Sequence, residues 1–385
     1  MAFDVVGSAE KVVEPLSATV EESETLRRLS DRAVALLHES GATRLMSPAR
    51  YGGYEMSPRA LVEAERVLAH GSPAASWVLM VTGAHTFIAG RMPTEGQDEV
   101  FGADAGMLIP GVPTPRGTCV RTDGGYVLTG RWPYASGADH GEWVMVGARG
   151  VPNTAGERCA TQVVVIPKGN VVIDDTWFTL GMRGTGSKDI VLDEVFVPDR
   201  HAVRMDMASA GTVPGVEIPL YRLPIRVTLG TMLLGTIVGM AERGLRLFVE
   251  QARTRRDAYS GAEKVNNVLL QQRVAEASGE ITCAWALTQQ SCDLLEAAME
   301  NDEPMPIGPR AQVRWNVAYA SELCRRAVDR LYAGAGAGAA HDGNILQSVF
   351  RDLNTATHHA LLDYDTNIEI QGRHLLGVQL DEAEV

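Results

Sequence analysis

The spacing of apolar residues changes twice along the chain, and this double change limits the available folds more than any single motif does. The early segments ESETLRRLSDRAVALLHESG, ending on Gly41, and SPRALVEAERVLAHG, opening on Ser57 before Pro58 and closing on Gly71, place apolar residues three and four apart. These are helix spacings with helix start and stop residues. Residues 1–105 are therefore expected to form an N-terminal α-helical domain. From about residue 106 the texture becomes short β-branched runs between turn signals: GGYVLTGRW, EWVMVGARG, TQVVVIPKGN and IVLDEVFVP. A small central β domain is expected over residues 106–212. Beyond the connection GTVPGVEIPLYRLP the helical spacing returns, broken once at AGAGAGAAHDGN. Residues 213–385 are thus expected to be helical and are enough for a four-helix bundle. The class is α+β, mainly α, in the order helical, β, helical.

Composition narrows the partners. With 385 residues, 45% of them hydrophobic, the chain can bury sizeable cores and is not a disordered protein. A formal charge of −13, with no basic tract longer than RTRR at 253–256, argues against a nucleic-acid surface and against anionic membrane. Cys119, Cys159, Cys283, Cys292 and Cys324 are odd in number, widely spaced and without a CxxC. They read as core thiols in a reducing compartment, with neither a disulfide framework nor a zinc site. The N-terminus shows no secretory pattern, and the apolar run VTLGTMLLGTIVGM at 227–240 is too short to span a bilayer, so a cytoplasmic location is expected. No GxGxxG opens a helix after a strand, and GxSxG, HExxH and GxxxxGK[ST] are missing.

What remains is a set of polar residues in apolar settings. FRDLNTATHHALLDYDTN at 350–367 reads as a helix carrying His358 and His359 side by side. Neighbours on a helix point about 100° apart, so only one can share the face of Leu353, Ala356 and Ala360. Either could be a structural histidine bonded inside the core. His85, in WVLMVTGAHTFIAG, likewise reads as a core histidine bonded to a backbone carbonyl, and Trp77, earlier in the same segment, as packing. Ser136, where a strand breaks at Gly137, is a turn former or a hydroxyl donor. In RGTGS, Arg183, Thr185 and Ser187 suit an anion or are a turn. Arg226 opens a buried-looking helix, where a cation wants an anionic partner. Gly334, Gly336 and Gly338 form a flexible connection or a close approach to a ligand.

The element order together with GMRGTGSKDIVLDEVFVP at 181–198 resembles the acyl-CoA dehydrogenase fold over nearly the whole chain. That resemblance implies an N-terminal helical domain, a central β-barrel or sandwich domain and a C-terminal four-helix bundle. Within the superfamily, GTGS at 184–187, WPYASGADHGEW at 132–143 and the seven-residue spacing from Arg351-Asp352 to His359 are similar to the two-component flavin monooxygenases. These include hydroxylases of 4-hydroxyphenylacetate, steroid-derived phenols and indoles, and the oxygenase of dibenzothiophene. The resemblance implies reduced flavin, FADH2 or FMNH2, with molecular oxygen as co-substrate. A flavin hydroperoxide would then hydroxylate an aromatic or heteroaromatic small molecule, with the cofactor carrying the hard step. A separate NAD(P)H-dependent reductase would supply the flavin.

The same resemblance implies roles for single residues. His359 would face flavin and substrate as a base, with His358 at the rim; His85 would line the substrate cavity and Trp77 lie near the isoalloxazine. Ser136 would hydrogen-bond the flavin's central ring, and Arg183, Thr185, Ser187 and Arg226 would hold the flavin edge or phosphate. The loop of Gly334 and Gly336 would reach a neighbour's flavin in a homotetramer, a dimer of dimers. His140 and Trp143 are scaffold in this reading. An acyl-CoA dehydrogenase would need a carboxylate base, which many such enzymes carry in a Tyr-Glu-Gly-Thr segment; here DYDTN lacks that Glu-Gly pair. A dehydrogenase-type flavoenzyme with its base elsewhere, and a non-catalytic binding paralogue, are the alternatives.

Overall fold

The computed structural model describes residues 3–381. Six helices come first: α1 (Val5–Ser17), α2 (Val20–Leu26), α3 (Asp31–Glu39), α4 (Pro58–Ala69), α5 (Pro73–Ala89) and α6 (Thr94–Phe101). Seven strands follow: β1 (Gly111–Thr122), β2 (Gly125–Ala135), β3 (Trp143–Val151), β4 (Gln162–Pro167), β5 (Val172–Asp174), β6 (Lys188–Pro198) and β7 (Ala202–Arg204). Among the described residues six more α-helices follow: α7 (Met205–Ala210), α8 (Ile225–Thr254), α9 (Val268–Met299), α10 (Ile307–Gly334), α11 (Ile345–Ala356) and α12 (Tyr364–Leu375). The helical, β, helical order expected from the sequence is the order observed.

One expected helix is two. ESETLRRLSDRAVALLHESG breaks between α2 and α3 because Arg27 adopts a left-handed conformation at φ 52° and Ser30 starts a new helix, its hydroxyl accepting from Ala33 N. A side chain at Ser30 that caps the next helix outweighs the unbroken apolar spacing.

The strands form one mixed sheet in the order β5-β6-β2-β1-β3-β4-β7, in which β1 and β3 run parallel. Trp132 anchors it: the ring is fully buried and donates its Nε1–H to Gly147 O at 2.6 Å. A Cβ at Gly117 would lie 2.1 Å from that ring, so the strand beside it must carry glycine there.

Helix α8 is the axis of the helical part. Gly235 and Gly239 let it touch α4 backbone to backbone: a Cβ at Gly235 would lie 2.4 Å from Val62 O, and one at Gly239 2.3 Å from Arg66 O. Among the described residues α8 is the one helix long and apolar enough to cross a membrane, longer than its apolar run indicates. Its most apolar stretch is 83% buried inside the fold, packed as core. The cysteines are less uniform than expected: Cys119, Cys292 and Cys324 are buried, Cys159 is half-buried and Cys283 is exposed.

Candidate active site

Helix α5 carries the first wall of the site. Ser72 caps it by accepting from Ala75 N, Pro73 sits in its first turn, and nearly every side chain from Pro73 to Ala89 is buried. A helix apolar on all sides must be enclosed by others, so its few polar side chains need internal partners. Trp77 finds one in Ser136, donating Nε1–H to Oγ at 3.1 Å. His85 finds another in the carbonyl of Ile109, 2.7 Å from its Nδ1.

Ser136 reaches α5 because β2 leaves the sheet just before it. The register with β6 shifts between Trp132 and Ala135, Tyr134 has φ +73°, and Gly137 has φ +75°. A Cβ at Gly137 would come within 2.9 Å of Val78, so glycine also permits the close approach. The turn is held from the other side by Gly137 N donating to Thr185 O at 2.8 Å.

Three hydroxyls then form a chain: Ser136 Oγ lies 2.8 Å from Ser187 Oγ, which lies 2.6 Å from Thr185 Oγ1, which donates to Met182 O at 2.8 Å. Counting protons fixes its direction. Thr185 spends its one proton on the carbonyl, so Ser187 must donate to Thr185 and Ser136 to Ser187. With Trp77 donating to it, Ser136 is left with a lone pair and no proton to offer.

The second histidine arrives differently from the sequence expectation. Helix α11 stops at Ala356, so neither His358 nor His359 is helical. His359 caps the short turn after it, its Nδ1 accepting from Leu361 N at 3.3 Å. The ring stands edge-on to Trp77 with centroids 5.8 Å apart. His358 points outward and donates from Nδ1 to Asn354 O at 2.6 Å. The Arg351-Asp352 pair explains the placement. Asp352 Oδ1 accepts from Met182 N at 2.6 Å and Arg351 donates to Leu180 O at 2.7 Å, clamping the turn before Thr185 onto α11.

His85 and His359 are electrically coupled, each desolvated by its surroundings to a pKa of about 4, and His359 further lowers that of His85. His359 keeps part of its surface open to solvent although its imidazole is densely surrounded. Both are neutral near pH 7, and their partners assign opposite tautomers. A carbonyl acceptor requires His85 to carry its proton on Nδ1, leaving a lone pair on Nε2. A backbone donor requires His359 to carry its proton on Nε2.

The remaining expected residues lie apart. Arg183 is exposed and donates to its own turn at Thr179 O, 3.0 Å away. Arg226 is on the outward face of α8, exposed within one chain, although the helix itself is buried as expected. Gly334 and Gly336 border a separate cleft of about 240 Å³ with Arg255, Lys264 and Arg273. A Cβ at Gly336 would lie 2.6 Å from the Arg255 guanidinium, so this glycine, at φ +74°, lets the arginine lie against the loop. The three cations were not singled out from the sequence; Arg255 lies in the short RTRR tract, while Lys264 and Arg273 carried no signal. Nor was Lys188, which pairs with Asp139 at 2.9 Å behind the hydroxyl chain.

The acyl-CoA dehydrogenase C-terminal domain family matches residues 232–364. The chain is 30% identical over 374 residues to the flavin-dependent monooxygenase oxygenase subunit HsaA of Rhodococcus jostii, covering 96% of this chain and 97% of that protein. It is also 30% identical to the p-hydroxyphenylacetate 3-hydroxylase oxygenase component of Acinetobacter baumannii, covering 98% of this chain and 90% of that one. Among solved structures, XiaF from Streptomyces sp., in complex with FADH2 and glycerol, superposes with a TM-score of 0.92 at 30% identity, over 98% of this chain and 96% of that one. The chain belongs to the oxygenase components of the flavin-dependent monooxygenases, built on the acyl-CoA dehydrogenase fold.

Proposed function

We propose that this oxygenase component takes reduced flavin from a separate NAD(P)H-dependent reductase and, with molecular oxygen, hydroxylates a phenol- or indole-like small molecule. The observation that carries the substrate class is His359 edge-on to Trp77 with His85 further along the same helix, two buried imidazoles whose hydrogen-bond partners call for opposite tautomers. A phenol needs an acceptor for its hydroxyl proton and a donor for oxygen charge, and a neutral imidazole supplies either. The p-hydroxyphenylacetate 3-hydroxylase acts on such a phenol, as its name states. The hydrogen bonds favour His85 Nε2 as the proton acceptor and His359 Nε2–H as the donor, in place of the base role expected for His359.

The residues present fit a flavin. The Ser136 lone pair suits the ring N–H of a reduced isoalloxazine, with Trp77 as a flat wall, while Thr185 and Ser187 act through Ser136. When bound, the flavin supplies the activation of oxygen. The chain's own residues hold the ring, exclude water with the buried α5 wall and move the substrate's proton. Arg255, Lys264 and Arg273 make a cleft suited to a diphosphate, which supports assigning Gly334 and Gly336 to the flavin of a neighbour in a homotetramer. Arg183 and Arg226, exposed in one chain, would serve the cofactor only where it lies across such an interface. A cytoplasmic location accompanies dependence on a nicotinamide-driven partner.

The test mixes purified protein, chemically reduced flavin, oxygen and a panel of phenols and indoles, and measures hydroxylated product per flavin consumed. Stoichiometric product from a phenol or indole supports the reading. Reduction of bound flavin by acyl-CoA thioesters, or no binding of reduced flavin, overturns it.

A further inference from the structure

We propose that Cys119 and Cys159 are a thiol pair that hydrogen peroxide converts into a reversible disulfide, stapling β1 to the loop between β3 and β4. Their sulfurs lie 3.7 Å apart although the residues are 40 positions apart in the chain. Cys159 Sγ also contacts Cys119 O at 3.4 Å, and Cys119 Sγ contacts Ala148 O at 3.6 Å. Among the described residues Cys283, Cys292 and Cys324 make no sulfur–sulfur hydrogen bond.

The approach is built by a glycine. Gly150 on β3 is the register partner of Cys119 on β1, and a Cβ there would lie 1.8 Å from Cys159 O. Any other residue would lift the loop off the sheet and part the two sulfurs. Bonding requires about 2.05 Å, so the sulfurs must close by roughly 1.7 Å. Cys119 is fixed inside the sheet. Cys159 ends an exposed turn tied down by the Pro152–Arg158 bridge and by Asn153 Oδ1, which accepts from Ala155 N and Glu157 N. That turn can settle as a unit.

Exposure sets the order of reaction. The half-buried Cys159 thiol loses two electrons to peroxide, giving a sulfenic acid and water. The Cys119 sulfur then attacks it, a second water leaves, and the disulfide forms. Cys119 alone is a poor first reactant, because burial pushes its thiol up to about 12. The peroxide source rests on the proposed function: reduced flavin that meets oxygen without substrate ends as hydrogen peroxide at this protein's own surface. The cross-link would then hold Cys159 short of irreversible oxidation.

The test adds hydrogen peroxide to the reduced full-length protein, blocks free thiols and maps peptides without reduction. It needs no flavin, so its failure leaves the proposed function standing. The expected result is a Cys119–Cys159 peptide two hydrogens lighter, reversed by dithiothreitol, and a higher thermal midpoint for the oxidised protein. In Cys159→Ser, Cys119 should stay a thiol at the same peroxide dose. Recovery of Cys159 as sulfinic acid without cross-link, a cross-link only after unfolding, or oxidation of Cys119 at an undiminished rate in Cys159→Ser would overturn the proposal.

Discussion

Trp77 and Ser136 are joined by one hydrogen bond, indole Nε1–H to hydroxyl Oγ at 3.1 Å, and it ties the buried helix α5 to the end of strand β2. Removing the hydroxyl in Ser136→Ala leaves the Trp77 donor without its acceptor and deprives a reduced flavin of one partner. Such a bond is worth on the order of 1 kcal/mol. The fold and substrate affinity should survive, while a larger share of reducing equivalents ends as hydrogen peroxide. Unchanged coupling between flavin oxidation and product would reduce Ser136 to a turn residue.

The proton count along the hydroxyl chain makes a separate prediction for Thr185. In Thr185→Val, Ser187 loses the acceptor that fixes its direction and can turn its proton to Ser136, whose own proton is then free. Binding of oxidised flavin, which presents an acceptor at the ring nitrogen, should improve relative to reduced flavin by roughly two- to tenfold, the worth of one hydrogen bond. Thr185→Ser keeps the hydroxyl and should keep the wild-type ratio. Titration of both flavin states against the three proteins decides it, and equal ratios in all three would mean the chain's direction does not matter.

His85 and His359 should both be needed for product, by roughly 10²-fold or more, and neither for flavin binding. The two differ in pH behaviour. If His85 Nε2 accepts the substrate proton, the acidic limb of the rate profile should vanish in His85→Ala and persist, at lower rate, in His359→Ala. His358→Ala, altering an exposed ring, should turn over like wild type. A His358→Ala enzyme that loses product while His359→Ala keeps it would show that the wrong neighbour was chosen.

Stability should fall as the solution is acidified below neutral. Burial lowers His85, His140 and His359 to about 4, so between that value and the ordinary 6.5 the unfolded chain binds more protons than the folded one. Their stabilising effect is complete above pH 6.5 and is lost as pH falls toward 4, by at most roughly 3 kcal/mol per site. Asp352 works the other way: burial raises it to about 6, so its contribution is present below pH 4 and lost as pH rises through 6. Urea unfolding at pH 5 and pH 7 should show a stabler protein at pH 7. The His85→Gln, His359→Gln double variant should show a smaller difference, and an unchanged difference would exclude these rings as its source.

The order of elements was legible because apolar spacing reports which faces are buried, and that holds for α4, α8 and the strands alike. The site was legible only in pieces. WPYASG and RGTGS each showed hydroxyls near a turn, but the Ser136–Ser187 bond spans 51 positions and needs the β2–β6 register shift to exist. The end of α11 was invisible because THHA carries no glycine or proline; the helix stops where His359 turns to cap the next turn, a choice made by tertiary packing. The direction of each histidine likewise depends on a carbonyl or N–H that no local pattern marks. Cys119 and Cys159 illustrate the same limit, since only the β1–β3 pairing brings them together.

Arg255, Lys264 and Arg273 line one cleft, where Lys264 pairs with Asp257 at 2.7 Å and Arg255 and Arg273 donate to the carbonyls of Ala335 and Arg330, and their shared positive charge predicts how dilution should behave. Beside it, the α8–α9 connection and the first turn of α9 expose apolar side chains: Tyr259 in the connection is fully exposed, and Val268 and Leu269 in α9 are 72% and 69% exposed. Surface of this kind, next to a cationic cleft, suits a subunit contact. If a second copy covers it and offers the flavin's phosphates to these cations, assembly and flavin affinity are linked. Diluting the protein through its dissociation range should then weaken reduced-flavin binding, and Arg255→Ala should weaken it at every concentration while leaving the Trp77–Ser136 region intact. Sedimentation and flavin titration on the same dilution series make the check. A monomer at low micromolar concentration that binds reduced flavin as tightly as the assembled protein would remove the Gly334 and Gly336 loop from the cofactor site.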